Sequence, residues 1–454
     1  MSVDTICALA TAPGGALGII RISGAQALEI LSHIFTKDLT TAQANTLHYG
    51  HIVERDAVSQ HQQDIDEVLV SVFRAPHSYT GEDSAEVSCH GSRYILNKVL
   101  ELLTTHGCRM ANPGEYTMRA YLNGKIDLSQ AEAVADLIAS SNQATHHLAM
   151  SQLRGGISTE LTLLREQLLK LTSLLELELD FSDHEDLEFA DRTELMGIAN
   201  KIDNHISQLA QSFELGQAIK QGIPVAIIGK TNVGKSTLLN RLLHEDRAIV
   251  SDVHGTTRDT IEDTIDLQGV TFRFIDTAGI RQTADQVEQI GIERTFAAID
   301  KARIVIWIVD SDPSQEELSK ISLLTENKKL IIVRNKIDKA DNKPFTLVKI
   351  PLIEISAKHN LNIDQLEQAI YQAADIPALS DADIVVTNAR HHDALVRAQG
   401  HLQRVLDGLS NQVSGDLLSE DLRLTLDTLS EITGGQITPN EVLGNIFTHF
   451  CVGK

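Results

Sequence analysis

Val225-Ala226-Ile227-Ile228-Gly229-Lys230-Thr231-Asn232-Val233-Gly234-Lys235-Ser236-Thr237-Leu238-Leu239 decides how this chain is read. Four apolar residues predict a buried strand, Gly229 to Ser236 fits G-x-x-x-x-G-K-[ST], and the residues from Thr237 onward are helical in pattern. A glycine-rich turn in that setting lets backbone N–H groups converge on anionic oxygens at a helix N-terminus, where the dipole favours negative charge. Lys235 is then placed to neutralise β- and γ-phosphates as a catalytic cation, and Ser236 to ligate Mg²⁺. Taken alone, the eight residues fit an ATPase or a chance match equally well.

Three elements further along narrow the choice. Asp276-Thr277-Ala278-Gly279 ends a predicted strand, where a carboxylate reaches Mg²⁺ through water and the Gly279 N–H senses a γ-phosphate. Asn335-Lys336-Ile337-Asp338 ends another, where Asp338 can accept from both N1–H and the exocyclic amine of guanine. Adenine lacks that donor pair, so the element selects GTP. Ser356-Ala357-Lys358 follows the last strand and offers a backbone N–H to the guanine O6. Between the glycine-rich loop and Asp276 lies Ser251-Asp252-Val253-His254-Gly255-Thr256-Thr257, from which Thr257 is expected as the second protein ligand of Mg²⁺; a generic polar loop is the bland alternative. The predicted GTP contacts are Asn232 to Thr237 and these four segments. A glutamine that orients the attacking water is missing: the residue after Gly279 is Ile280, whose side chain forms no hydrogen bonds.

Around this centre, apolar runs at Val225–Ile228, Phe272–Ile275, Ile304–Val309, Leu330–Val333 and Ile353–Ile355 predict strands buried on both faces of a mostly parallel sheet. Upstream, Leu161, Leu164, Leu168, Leu171, Leu175 and Leu179 recur at spacings of three and four, as do Leu417, Leu418, Leu422, Leu426 and Leu429 downstream. The acidic run from Asp180 to Asp186 reads as a solvated loop. The first 120 or so residues mix β-like runs (Leu17–Ile22, Glu67–Phe73, Ala85–Ser88) with helical patterns. The expected fold is multidomain: an α+β N-terminal domain (1–122), an all-α helical domain in two parts (123–219 and 379–454), and an inserted α/β P-loop domain (220–378).

Composition sets outer limits. With 62 acidic and 39 basic side chains, the formal net charge of −23 opposes broad binding to nucleic-acid phosphates, so any RNA contact must be local or shared with a partner. Neither a signal-peptide pattern nor a run of roughly 18 apolar residues is present, which predicts a cytoplasmic protein without a membrane partner. Cys7, Cys89, Cys108 and Cys451 have neither zinc-ligand spacing nor the density of a disulfide scaffold.

Gly255-Thr256-Thr257-Arg258-Asp259, Asp276-Thr277-Ala278-Gly279-Ile280-Arg281 and Phe450-Cys451-Val452-Gly453-Lys454 together resemble the MnmE (TrmE) family of tRNA modification GTPases. The resemblance runs end to end, through Arg21-Ile22-Ser23-Gly24, Ser78-Tyr79-Thr80-Gly81-Glu82-Asp83, Cys89-His90-Gly91, Pro113-Gly114-Glu115-Tyr116-Thr117 and the segment Asn123 to Ala133. It implies an N-terminal domain that dimerises and binds a 5-formyl- or methylene-type tetrahydrofolate. It also implies a homodimer that forms a heterotetramer with the FAD-dependent MnmG (GidA) protein, and modification of carbon 5 of the tRNA wobble uridine, with tRNA held mainly by the partner.

Residue by residue, the resemblance implies that Asn232 holds K⁺ with oxygens from Ser251, Val253 and Thr256, where a cation does the work of an arginine finger. It assigns Glu288 to the attacking water, through a second water. Arg21, Glu86, Lys125 and Lys454 match folate-site positions, and Cys451 matches a cysteine that serves as nucleophile or general acid. Ser251 stands where threonine is common, which matters little if its carbonyl is the ligand. Two other readings stay open on sequence: a ribosome-associated assembly GTPase, which the acidic charge disfavours, and a GTP-driven scaffold for MnmG with no chemistry of its own.

Overall fold

The computed structural model describes residues 4–55, 62–180, 192–245, 263–275, 296–339, 352–377 and 384–435, with 447, 450 and 453 near the C-terminus. The chain divides into two compact units, Met1–Ile138 with Gln152–Ala199 and Gly400–Lys454, and Ala139–Ser151 with Asn200–Gln399.

The first unit opens with β1 (Thr5–Leu9), β2 (Leu17–Ser23), α1 (Ala27–Ile34), β3 (Thr46–Arg55), β4 (Gln62–Phe73), β5 (Ser84–His90), α2 (Arg93–Thr105) and β6 (Cys108–Met110). The sheet runs β3-β4-β5-β2-β1-β6, antiparallel except where β6 joins β1. Period-two alternation sends Ile20, Ile22, Val68, Val70, Val72, Ala85 and Val87 to the face that packs on α1 and α2. Gly18 leaves room there for the Leu96 side chain of α2, which a Cβ would approach to 2.6 Å. The opposite face leaves Leu17, Leu47, Tyr49 and Leu69 exposed, Tyr49 and Leu69 being cross-strand partners.

Helices α3 (Glu115–Leu122), α4 (Leu128–Ala139), α6 (Gly156–Asp180) and α12 (Gly415–Thr433) complete this unit. The expected stripe on α6 is buried at Leu161, Leu164, Leu168, Leu171 and Leu175, and α12 packs against α6. Each such leucine contributes about 1.5–3 kcal/mol of burial. One member of the second stripe is corrected: Leu417 is 61 % exposed, while Leu418, Leu422 and Leu429 point inward. Leu417 and Leu418 are adjacent, about 100° apart on the helix, so only one of them fits a narrow stripe. The acidic run beyond Asp180 lies outside the described residues.

The second unit contains α5 (Gln143–Leu153), most of α7 (Arg192–Gln221), β7 (Ile223–Ile228), α8 (Lys235–Glu245), β8 (Asp263–Leu267), β9 (Val270–Phe274), β10 (Ile304–Val309), α9 (Gln315–Leu324), β11 (Lys329–Arg334), β12 (Leu352–Glu354), α10 (Ile363–Ala373) and the start of α11 (Ala389–Ser410). Its sheet runs β12-β11-β10-β7-β9-β8, parallel throughout except for the β8–β9 hairpin. All six residues of β10 are buried. Ile304, Ile306 and Ile308 enter one apolar layer and Val305, Trp307 and Val309 the other, which is why the strands read as unbroken apolar runs. No helix of the described residues is long and apolar enough to cross a membrane.

Candidate functional site

Strand β7 delivers the chain to Gly229, whose φ is +150° and where a Cβ would lie 2.4 Å from the Ile308 carbonyl oxygen of the neighbouring strand. The loop turns through Asn232 at φ +61° and Gly234 at φ +104°, and α8 starts at Lys235. Ser236 and Thr237 stand in the first helical turn, beside N–H groups that have no partner within the helix. The Lys235 ammonium, half-buried, donates to the carbonyls of Gly229 and Lys230, both at 2.7 Å, and burial holds its pKa below the ordinary value. An anion at the helix start would offer this cation a stronger partner than two neutral carbonyls.

A buried side chain joins three predicted elements. Asn335 donates from Nδ2 to the Val233 carbonyl at 2.8 Å and accepts at Oδ1 from the Ala357 N–H at 3.0 Å. It thereby ties the glycine-rich loop to the end of β11 and to the Ser356-Ala357-Lys358 turn. Gly234 leaves the room: a Cβ there would lie 2.2 Å from Asn335 Nδ2. Lys336, at φ +68°, donates from Nζ to the Asn232 carbonyl at 2.5 Å and to Asp310 at 2.8 Å. Arg241 of α8 reaches the carbonyls of Ala357 and Lys358 at 3.5 and 3.4 Å.

Asp338 lies at the rim of this frame. The Ser356 hydroxyl donates to its Oδ1 at 2.6 Å and holds the carboxyl below the usual carboxylate range, leaving it an ionised acceptor at neutral pH. Beside the loop, a pocket of about 400 Å³ is lined by Gly229, Val233, Trp307, Ile321 and Leu324, with Lys230 and Glu317 at its edge in an ion pair of 2.6 Å. Ser251 to Thr257, Asp276 to Gly279 and Glu288 lie outside the described residues.

The second predicted cluster is in the first unit. Arg21, on β2, donates from Nε and Nη2 to Glu86 Oε1 at 2.9 and 2.7 Å and from Nη1 to the Gly453 carbonyl at 3.1 Å. The register of β2 against β5 sets Arg21 directly opposite Glu86. Gly453 is buried at φ +92°, and a Cβ there would lie 2.4 Å from the Leu9 carbonyl oxygen. Lys125 is exposed and donates to the Pro76 carbonyl at 2.9 Å, with its stem against Gly81 of the loop that carries Tyr79. Cys451 and Lys454 lie outside the described residues. Cys7, Cys89 and Cys108 are buried packing residues, and burial pushes the Cys89 thiol up to about 12.

Sequence reasoning passed over two aromatic rings at this cluster. The Arg21 guanidinium lies 5.8 Å from the Tyr79 ring centroid and 5.6 Å from that of Tyr116. Tyr116 is fully buried and donates to the Arg21 carbonyl at 2.7 Å, while Tyr79 is 41 % exposed and shares a hydrogen bond with Thr117. Both lie within family-like segments, but no spacing rule connects them to Arg21.

The profile of the GTP-binding protein TrmE N-terminus matches residues 5–125, and that of the MnmE helical domain matches residues 128–451. A protein of Phocaeicola vulgatus named tRNA modification GTPase MnmE is 56 % identical over 495 aligned residues, covering 99 % of each chain. A protein of the same name from Bacteroides fragilis is 54 % identical over 473, covering all of both. Among solved structures, the FeoB G-domain from Methanococcus jannaschii is 25 % identical and covers 33 % of this chain and 96 % of that one, at a TM-score of 0.25 that decides nothing.

Proposed function

This chain belongs to the MnmE (TrmE) family of tRNA modification GTPases, and from that premise we propose a potassium-stimulated GTP hydrolase that works with an FAD-dependent MnmG partner. The reaction is addition of a carboxymethylaminomethyl-type group to C5 of the wobble uridine of tRNAs, in the cytoplasm. Enzymatic GTP hydrolysis in tRNA modification is the role for which the family is named. The potassium, the partner and the C5 chemistry are our reading.

The Asn335 strut carries it. Phosphate loop and base-reading turn are held in one frame, with the ionised Asp338 at its edge where a guanine N1–H and amine would arrive. The cations fit as oxygen-ligand sites: the Ser236 hydroxyl and Thr257 for Mg²⁺, and Asn232, Ser251, Val253 and Thr256 for K⁺, hard cations that take hydroxyl, amide and carbonyl oxygens. When bound, they supply positive charge to the phosphates. Lys235 adds a fixed charge, and Glu288 holds the attacking water.

Arg21, Glu86, Lys125 and Lys454 are assigned to the tetrahydrofolate, with Cys451 as the reactive thiol. Arg21 and Glu86 share the face of the sheet that exposes Leu17, Leu47, Tyr49 and Leu69, and an apolar patch of that kind supports dimerisation there, with two copies meeting two MnmG chains.

Asp338→Asn tests the core of this reading. An amide presents one acceptor and one donor, which suits the N1–H and O2 of xanthine and mismatches guanine. GTP affinity should fall by roughly 100-fold or more while xanthosine triphosphate becomes a substrate. Unaltered preference for GTP would remove Asp338 from the site. Equal GTP turnover in KCl and NaCl would end the potassium assignment.

A further inference from the structure

Helix α5 begins against the hairpin that connects β8 to β9, and the joint is polar and specific. Asn142 caps the helix: its Oδ1 accepts from the Thr145 N–H at 2.8 Å. Its other end, Nδ2, donates to the Thr271 hydroxyl at 2.7 Å, and that hydroxyl donates in turn to Asp266 across the hairpin. The Ala144 N–H donates to the Gly269 carbonyl at 3.0 Å, and Gly269, at φ +80°, sits so close that a Cβ would lie 3.0 Å from the Gln143 Cβ. Thr271 also bears on the end of α7, since a Cβ at Gly222 would meet the Thr271 methyl at 3.3 Å. The start of α5 and the end of α7 therefore both meet one threonine.

That threonine lies on the strand hydrogen-bonded to the one that feeds the glycine-rich loop. Strand β9 pairs with β7, which runs straight into Gly229, through Ile223 to Phe272 and Val225 to Phe274. Four residues beyond Thr271 the Ile275 N–H still donates to the Val225 carbonyl, and Asp276 follows in the sequence. At the other end α5 runs on to Leu153, past the point at Gln152 where the chain enters the other unit.

We propose that Asn142 and Thr271 are positioning residues that latch α5 to the β8–β9 hairpin, so that α5 takes up the nucleotide-dependent setting of β9. The latch rests on the GTPase reading and adds the residues through which the state of the site leaves the sheet. The Thr271 hydroxyl accepts from Asn142 and donates to Asp266 within the hairpin, so the hairpin orients it toward α5 and a shift of the hairpin against α5 is felt at the Asn142 bond.

The test is amide exchange at residues 143–153 of the full chain, loaded with GDP or with a non-hydrolysable GTP analogue. Wild type should differ between the two states by about 2- to 10-fold, the worth of one hydrogen bond. Asn142→Ser keeps a good helix cap but is too short to reach Thr271, and Thr271→Val keeps the shape without the hydroxyl. Both should abolish the difference, and combining them should add nothing further, whereas Thr271→Ser should preserve it. GTP hydrolysis by the chain alone should stay within about twofold in all of them. Identical exchange in the two states of wild type overturns the latch, as does an undiminished difference in Asn142→Ser or Thr271→Val. Nucleotide affinity measured on the same samples separates this from the other failure: a wild type that binds neither nucleotide overturns the GTPase reading, and the latch with it.

Discussion

The nucleotide frame and the Arg21 cluster are held together by different means. In the first, glycines and left-handed turns place backbone groups, and one buried amide, Asn335, ties the loops together. In the second, charged side chains hold one another: Arg21 with Glu86 from a distant strand, and nearby Glu115 with Arg109 and Arg119. A backbone-built site tolerates no added atoms. A side-chain-built one tolerates shape changes and depends on charge.

The sharpest way to break this contrast is to add atoms to the frame. Gly234→Val puts a branched side chain where even a Cβ would stand 2.2 Å from Asn335 Nδ2, at a φ of +104° that L-residues rarely adopt. Asn335 is fixed at both ends and cannot retreat. GTP binding should be lost, by at least about 100-fold, since the loop N–H groups no longer converge. Near-normal affinity by fluorescent-nucleotide titration would mean that the frame yields more than its geometry implies.

Next in size is the removal of charge from the first unit. Glu115, 4 % exposed, accepts from Arg109 at 2.6 and 3.0 Å, from the Asn112 N–H at 2.8 Å and from Arg119 at 3.0 Å. Glu115→Ala leaves Arg119, itself 3 % exposed, short of one carboxylate, and should destabilise this unit by about 3–5 kcal/mol. Trp307, the chain's single tryptophan, lies in β10 of the other unit, so its fluorescence midpoint should hold while the circular dichroism transition moves. Coincident shifts would show that the two units unfold as one.

The same carboxyl carries a pH signature. Burial raises its pKa, but the bonds from Arg109, Asn112 and Arg119 outweigh that and leave it below the ordinary 4.5. A depressed native pKa gives stability that is complete above the unfolded value and lost as pH falls through the folded one. Below about pH 4.5 the wild type should therefore lose stability faster than Glu115→Gln. Parallel acid limbs would deny the network its electrostatic role.

How much of each region could be read in advance depends on the same contrast. Gly229 to Ser236 is contiguous, and its strand–loop–helix setting was legible because β7 and α8 flank it at once. Buried strands such as Ile304–Val309 announced themselves by unbroken apolar residues. Strands β3 and β6 gave no such signal, since half-buried edge strands mix polar and apolar positions. Arg21 and Glu86 are 65 residues apart, and only the strand register makes them neighbours. The bracing role of Asn335 was equally hidden, because its contacts come from folding β11 beside the loop.

A smaller effect is expected on the open sheet face. Leu69→Glu sets a charge beside Tyr49 on the proposed dimer face and should weaken the proposed self-association by about 10- to 100-fold without altering monomer folding, read by analytical ultracentrifugation. A dimer that persists at wild-type concentrations would move the contact elsewhere.

The smallest change in stability should come from Arg21→Lys. The side chains of Arg21 and Glu86 are 22 % and 29 % exposed, so water screens part of their attraction, and swapping one cation for another should cost about 1 kcal/mol or less. Geometry is another matter: one guanidinium serves Glu86 with two N–H groups and the Gly453 carbonyl with a third, and a single ammonium, a compact point charge without that planar fork, cannot span both. With Arg21 in the proposed tetrahydrofolate site, affinity for that ligand should therefore fall by about tenfold while the unfolding midpoint barely moves. A large stability loss with unchanged affinity would invert the contrast, making Arg21 a structural brace like Asn335.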